Sequence, residues 1–199
     1  MPNVRIPTQK RGIDKKNKII EDGFKIICEN GYYNITTNDI AHEAGVSVGI
    51  IYQYFNDKKE IFIDGIKNYS KKILFPMSDI LDSTKFDSNN LKELLSKMID
   101  DFVRAHTISK KAHQEIVSLE HIDGDIEKIF LDLELDTTNK ICSLLRNNGI
   151  DSSNLEEKIH ICYNLVDNYY HEVVYHKHKN LDYKIMKETV IEIILDLIK

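Results

Sequence analysis

Residues 35–62 read "ITTNDIAHEAGVSVGIIYQYFNDKKEIF", and the placing of small, apolar and aromatic residues in this stretch decides the fold. Thr36-Thr37-Asn38-Asp39 offers hydroxyl caps before Ile40 and Ala41, and Asp39 in the first turn suits the positive end of a helix dipole. Ala44-Gly45 closes that short helix. Ser47 stands where it caps a second one, which runs to about Phe55. Asp57, with Glu60 three residues on, has the spacing of a capping box and opens a longer exit helix. Two short helices joined by a tight glycine turn form a helix-turn-helix.

In the second short helix, Ile51 and Phe55 lie four apart and share a face. That face is expected to pack on Ile40, Ala41, Val46 and a preceding helix. Ser47, Val48, Gly49, Ile50, Tyr52, Gln53 and Tyr54 are then left facing outward or sideways. Two branched aliphatics and two tyrosines make an odd solvated face, but they suit DNA. Val48 and Ile50 can touch thymine methyls, Gln53 can read a base edge, and tyrosine hydroxyls can bond phosphates. Gly49 costs the helix about 0.5–1 kcal/mol relative to alanine. Either it packs closely on a neighbour, or its bare backbone meets an outside partner. Thr37, opening the preceding helix, offers a hydroxyl and free N–H groups to an anion. Lys58 lies in the first turn of the exit helix, where the dipole prefers an acid, and a bound phosphate would relieve that conflict.

The sequence T-T, I-A, A-G-V-S, a glycine two past the serine, Y-x-Y-F and a lysine three past the phenylalanine closely resembles the DNA-binding signature of the TetR (tetracycline-repressor-like) family of bacterial regulators. The resemblance covers about residues 14–62. It implies an all-helical homodimer in which each subunit places its third helix in the major groove of one half of a near-palindromic operator. It also implies phosphate contacts at Thr37, Tyr52, Tyr54 and Lys58, and base or backbone contacts at Ser47, Val48 and Gly49. Tyr54 stands where many relatives carry histidine. An arm with Arg5, Lys10 and Arg11 can reach the adjacent backbone or minor groove. The resemblance further implies a second, larger domain that binds a small effector and so changes the spacing of the two recognition helices. A repressor is the expected role; a transcriptional activator, or a helical adaptor with a vestigial DNA-binding module, are the alternatives.

The rest of the chain agrees with an all-α protein. With 199 residues, only three prolines and eight glycines, it suits one small domain fused to a larger one. Residues 1–12 carry Pro2, Pro7 and Gly12 without periodicity and read as an arm. From Asp14, apolar residues recur at helical spacing until Asn30-Gly31 stops the helix. The exit helix is expected to reach about Leu74, with Pro76 bending or ending it. Further helical patterns fall at roughly 91–107, 110–121, 125–147, 154–178 and 183–198, giving about nine helices in all. The expected domains are 1–60 (arm and helix-turn-helix) and 61–199 (effector binding and dimerisation). Net charge is −5, yet residues 1–60 carry nine lysines and arginines against eight acids, so the acidic excess lies in the remainder. A basic front on an acidic body fits a chain that meets a polyanion at one end.

Effector contacts have no motif here. Candidates are Phe102, His106 and His113, at near-heptad spacing, and Tyr163, Asp167 and Tyr170, which share one face of the eighth helix. Core packing is the competing role for each. The last helix, with apolar residues over most of its circumference, must be covered by more than its own domain, and a homodimer formed by the last two helices is the economical answer. Cys28, Cys142 and Cys162 are few, odd in number and far apart, which points to a reducing, cytoplasmic setting. No secretion signal and no membrane-length apolar run are evident. His171, His176 and His178 do not converge enough to suggest a metal, and no cofactor is expected. No hydrolase, metalloprotease or nucleotide-binding signature occurs, which argues against an enzyme.

Overall fold

A computed structural model describes the backbone of residues 6–83, 90–108 and 110–198, and their side chains except those of 72–83, 105, 106 and 108. Among the described residues all regular structure is helical: α1 (Lys10–Asn30), a 3₁₀ turn (Tyr32–Asn34), α2 (Thr37–Ala44), α3 (Val48–Tyr54), α4 (Lys58–Ser83), α5 (Leu91–Ile108), α6 (Lys110–Glu120), α7 (Gly124–Asn147), α8 (Leu155–Val174) and α9 (Tyr183–Ile198). The fold is therefore the expected one, a helix-turn-helix followed by a larger helical region. Three boundaries differ from expectation. α1 starts at Lys10, because Gln9 adopts an extended N-cap conformation and its carbonyl takes the amides of Gly12 and Ile13. α4 runs through Pro76 to Ser83, since one missing N–H removes one ladder bond without ending a 26-residue helix. α8 stops at Val174, where the amides of Tyr175 and His176 both turn back to the His171 carbonyl. No helix among the described residues is long and apolar enough to cross a membrane.

The chain divides into two compact units. One comprises Met1–Lys71 with Ser109–Ile126, the other Lys72–Ile108 with Glu127–Lys199. The first division thus falls at Lys71 instead of residue 60, and α6 returns to the first unit. That unit is built on α1, which packs on α2 and α6. Its interior holds Ile19, Ile27, Ile40, Ile51, Phe55 and Phe62, each 1% exposed or less. Two glycines set how closely its helices approach. A Cβ on Gly23 would stand 2.8 Å from Ile61 and 3.0 Å from Ile40, and one on Gly65 would collide with the Phe24 ring. Phe62 stacks on Phe24 at 5.6 Å and tilts against Tyr32 at 5.5 Å. α6 and the following turn are tied in by polar bonds. The Tyr32 amide donates to Glu115 at 2.6 Å, and the Lys59 amine pairs with Asp123 at 2.8 Å and Asp125 at 2.6 Å.

In the second unit α5, α8 and α9 pack on one another around Ile99, Leu155, Ile159, Val190 and Ile194, and α7 contributes Cys142 and Leu145. The Arg146 guanidinium grips Glu156 with two nitrogens, at 2.6 and 2.9 Å, and reaches Asp151 at 3.2 Å. This pins the C-terminal end of α7 to the start of α8, where an acid belongs by dipole and a cation belongs at the preceding C-terminus. Burial pushes the Cys28 thiol up to about 12 and the Cys162 thiol up to about 11, so both stay protonated and serve as small core side chains.

Candidate functional site

The turn between α2 and α3 depends on Gly45, which takes the left-handed conformation (φ 67°, ψ 35°) where a side chain would be strained. The Val46 amide then donates back to the Ala41 carbonyl at 3.0 Å, and α3 leaves at the angle this closure dictates. Ile51 and Phe55 are buried, as their spacing requires. Ser47, Gly49, Tyr52 and Gln53 are exposed, and Val48 and Ile50 are half-buried at the edge of the same face. Among the described residues nothing explains Gly49 by packing. A Cβ built on it would meet only the Ser47 hydroxyl, at 3.9 Å. Its missing side chain is a feature of the outer surface.

Several expectations change with the structure. Tyr54 does not face outward. It is 7% exposed, with its ring in the core and its hydroxyl toward the first turn of α1. Two residues after Tyr52 on a 3.6-residue helix, it is turned by about 200° from that exposed neighbour. Ser47 occupies the N-cap position but its side chain makes no cap bond, so the hydroxyl is left to the surface. A capping box forms at α2 on Thr36 and Asp39. The Thr36 hydroxyl accepts the Asp39 amide at 3.3 Å, and the Asp39 carboxylate accepts the Thr36 amide at 2.8 Å and hydroxyl at 2.6 Å. These bonds hold the Asp39 carboxyl below its ordinary pKa. Thr37, half-buried at the helix start, keeps its hydroxyl outside that box.

Lys58 is not a presented cation. Its amine donates to the carbonyls of Tyr32 and Ile35, both at 2.7 Å, and lies 4.4 Å from the centre of the Tyr32 ring. The carbonyls of Tyr32 and Ile35 thus meet the amine that was expected to meet an outside phosphate. Loss of water around the amine lowers its pKa. At the start of α4 the predicted bond from the Glu60 amide to Asp57 is present at 3.0 Å, but the Glu60 carboxylate reaches back to Asn56, not to Asp57. Lys10 and Arg11 lie on the first turn of α1 and are exposed, not on an arm. Arg5 lies outside the described residues.

The second unit holds a partly open cavity of about 100 Å³ whose wall is apolar, formed by Leu91, Leu95, Phe102, Ile141, Tyr163 and Ile194 among others. Of the six effector candidates, Phe102 and Tyr163 line it. Tyr170 stands behind that wall, its ring edge-on to Phe102 at 5.1 Å. Its hydroxyl bonds Asp167 and lies 2.9 Å from His171 Nε2, while Asp167 lies 3.7 Å from His171. Burial raises the pKa of Asp167 and lowers that of His171. Asp167 and Tyr170 therefore serve a polar network beside the cavity instead of lining it. His113 belongs to the first unit, on α6, and takes no part in the cavity. The side chain of His106 lies outside the described residues. The lining residues that sequence reasoning missed are aliphatic, and aliphatic positions on amphipathic helices carry no mark that separates a cavity wall from a filled core.

Residues 19–64 match the model of the family described as bacterial regulatory proteins, tetR family. The chain is 46% identical over 55 residues to the HTH-type transcriptional regulator HbdR of Aromatoleum sp. (strain CIB), a stretch that covers 28% of this chain and 24% of that one. It is 30% identical over 101 residues to the fatty acid metabolism regulator protein of Bacillus subtilis (strain 168), covering 51% of each. The matched stretch thus spans about a quarter and about half of these relatives' own length. Over nearly the whole chain the fold matches a crystal structure from Mesorhizobium loti MAFF303099 described as a TetR-family transcriptional regulator. That match has a TM-score of 0.70 at 16% identity and covers 95% of this chain and 97% of that one.

Proposed function

We propose that the chain, whose residues 19–64 match the TetR family of bacterial regulatory proteins, is a DNA-binding transcriptional repressor of that family, a homodimer released from a near-palindromic operator by a small apolar effector. The observation that carries the DNA-binding part is Gly49, a helix-weakening residue on the exposed face of α3 that no packing contact requires. Beside it stand Ser47, Tyr52 and Gln53, exposed, with Val48 and Ile50 at the edge. In this reading the backbone at Gly49 approaches the groove, Gln53 meets a base edge and Tyr52 a phosphate. Thr37 supplies a further phosphate contact. Lys58 holds the 3₁₀ turn in place.

A second copy covers the apolar residues that α8 and α9 leave exposed, namely Ile161, Ile185 and Ile193, at 56%, 61% and 42% exposure. The effector enters the second unit. A cavity of about 100 Å³ is smaller than the roughly 300–1,000 Å³ of sites that hold drug-sized ligands. Occupancy therefore requires the surrounding helices to part, and a ligand that favours the parted state disfavours the DNA-bound one. The apolar wall suits a hydrocarbon chain or an unsubstituted ring, and the similarity to a Bacillus subtilis regulator named for fatty acid metabolism supports that reading.

Gly49→Ala tests the DNA reading with two readouts of opposite sign. The free protein gains helix stability of about 0.5–1 kcal/mol, seen as a higher melting temperature. Affinity for a duplex selected from a random library falls about tenfold or more, equivalent to about 1.4 kcal/mol. An unchanged affinity alongside the raised melting temperature removes α3 from the interface.

A further inference from the structure

Beyond Phe102 and Tyr163 the apolar wall of the cavity gives way to acids. Asp167 follows Val166 on α8 and stands one helical turn past Tyr163, and both of those residues line the cavity. On α7, Glu134 is near enough that Asp167 opposes its ionisation. Both acids are half-buried, and burial raises the pKa of each. Neither pairs with a lysine or arginine among the described residues. The groups that do favour their ionisation are imidazoles, His160 beside Glu134 and His171 beside Asp167. His160 also lies 3.3 Å from the hydroxyl of buried Thr138, and burial holds His171 toward its neutral form. Two acids thus face each other with no fixed cation between them, an arrangement that a cation from outside relieves. The Asp167 side chain is still 33% exposed, so the recess can be entered.

Aromatic rings complete the setting. Phe102 and Tyr163 stand in the cavity wall. Tyr170 meets Phe102 edge-on at 5.1 Å, and His171 packs between Tyr170 at 4.4 Å and Tyr175 at 5.6 Å. Ring faces attract a cation, the more so once it has shed water. A quaternary ammonium has no N–H to donate and sheds water readily, so rings and carboxylates suffice to hold it. A carboxylate head would meet two acids at the same place.

We propose that the second unit takes an amphiphile with a quaternary ammonium head, its tail in the apolar cavity and its head beside Glu134 and Asp167 among the rings of Tyr163 and Tyr170. The inference rests on the effector reading above and names the head group of the ligand. It also supplies a latch. The Tyr170 hydroxyl is held by Asp167 while its ring closes against Phe102. A cation competes for that carboxylate and frees the Tyr170 ring to leave Phe102. The cavity then enlarges as it is filled.

Isothermal titration calorimetry on the full chain with octyltrimethylammonium, octanol and octanoate is the test, since the three share a tail and differ in charge. The expected order of affinity is ammonium, alcohol, carboxylate, with the first about tenfold tighter than the second. Glu134→Gln and Asp167→Asn each weaken ammonium binding about fivefold and leave octanol binding unchanged, which also shows that the cavity is intact. Asp132→Asn removes the same charge from an exposed position on α7 and keeps the wild-type values. Octanol or octanoate binding as tightly as the ammonium overturns the charged head, while the effector reading stands. A preference for the ammonium that survives both variants, or that Asp132→Asn weakens equally, overturns it as well, because attraction to an acidic chain as a whole then explains it. A variant that loses octanol too has lost the cavity, and the wild-type order then decides. If none of the three ligands binds, the effector reading has failed, and the head group with it.

Discussion

Where helices of the first unit touch, there are glycines; where helices of the second unit meet, there is empty space. Gly23 and Gly65 let α1, α2 and α4 approach until a single added carbon has no room. α5, α8 and α9 instead surround a cavity walled by leucine, isoleucine and phenylalanine. In the first unit polar groups close on one another or on backbone: Thr36 with Asp39, Lys58 with two carbonyls, Lys59 with two aspartates. In the second, Arg146 likewise closes on Glu156 and Asp151, but Asp167 and His171 stand half-buried side by side, at a cost to the charged form of each. A close-packed unit keeps one shape, which a reader of a fixed duplex needs. A unit with internal space can adopt a second shape at little cost, which a sensor needs.

Adding carbon to each interior puts that contrast to the test, and the sign should invert. Gly65→Ala forces a methyl group against the Phe24 ring, at 2.6 Å from its Cγ. We expect a loss of about 1–3 kcal/mol in urea unfolding, even though alanine is the better helix former. Val166→Leu adds one methylene at the cavity wall. We expect a gain of up to about 0.8 kcal/mol, together with a weaker response to any effector that must occupy the same volume. Two losses, or two gains, would erase the distinction between the units.

The smallest effect concerns charge. Burial raises the Asp167 pKa above its value in the unfolded chain, so its favourable contribution is complete at pH below the unfolded carboxyl value and is lost as pH rises through the folded one. His171 has the opposite sense. Its pKa is lowered, so its contribution is present above the unfolded imidazole value and is lost as pH falls through the folded one. Asp167→Asn keeps an acceptor for the Tyr170 hydroxyl but cannot ionise. The wild-type melting temperature should therefore fall relative to the variant as pH rises from about 4. A difference that stays flat above that pH would mean the carboxylate is solvated as fully in the fold as out of it.

How much of each unit was legible from residues alone follows from the same physics. The helix-turn-helix could be read closely because turns, caps and short amphipathic faces are local: Gly45, Asp57 and the pairing of Ile51 with Phe55 act within a few residues of themselves. What escaped was non-local. Lys58 finds its carbonyls 23 and 26 residues back, and no local rule links them. Gly23 and Gly65, inside helices and away from any turn, did carry a signal, since a helix gives up stability there only for close contact. In the second unit, helix positions were legible from periodicity, but the cavity was not. Phe102 and Tyr163 could be proposed because aromatic and polar side chains stand out. A void among leucines is set by how several helices meet at once.

The path of the chain through the two units bears on how the protein is made. The first unit is complete only when residues up to Ile126 are present, although its recognition helix ends at Tyr54. A chain emerging from the ribosome thus carries a finished α3 well before Glu115, Asp123 and Asp125 arrive to bind the Tyr32 amide and the Lys59 amine. A fragment cut at Lys71 would be caught at that stage, with its reader exposed and part of its own floor missing. The first unit is therefore not a contiguous piece that proteolysis or gene fusion could lift out intact.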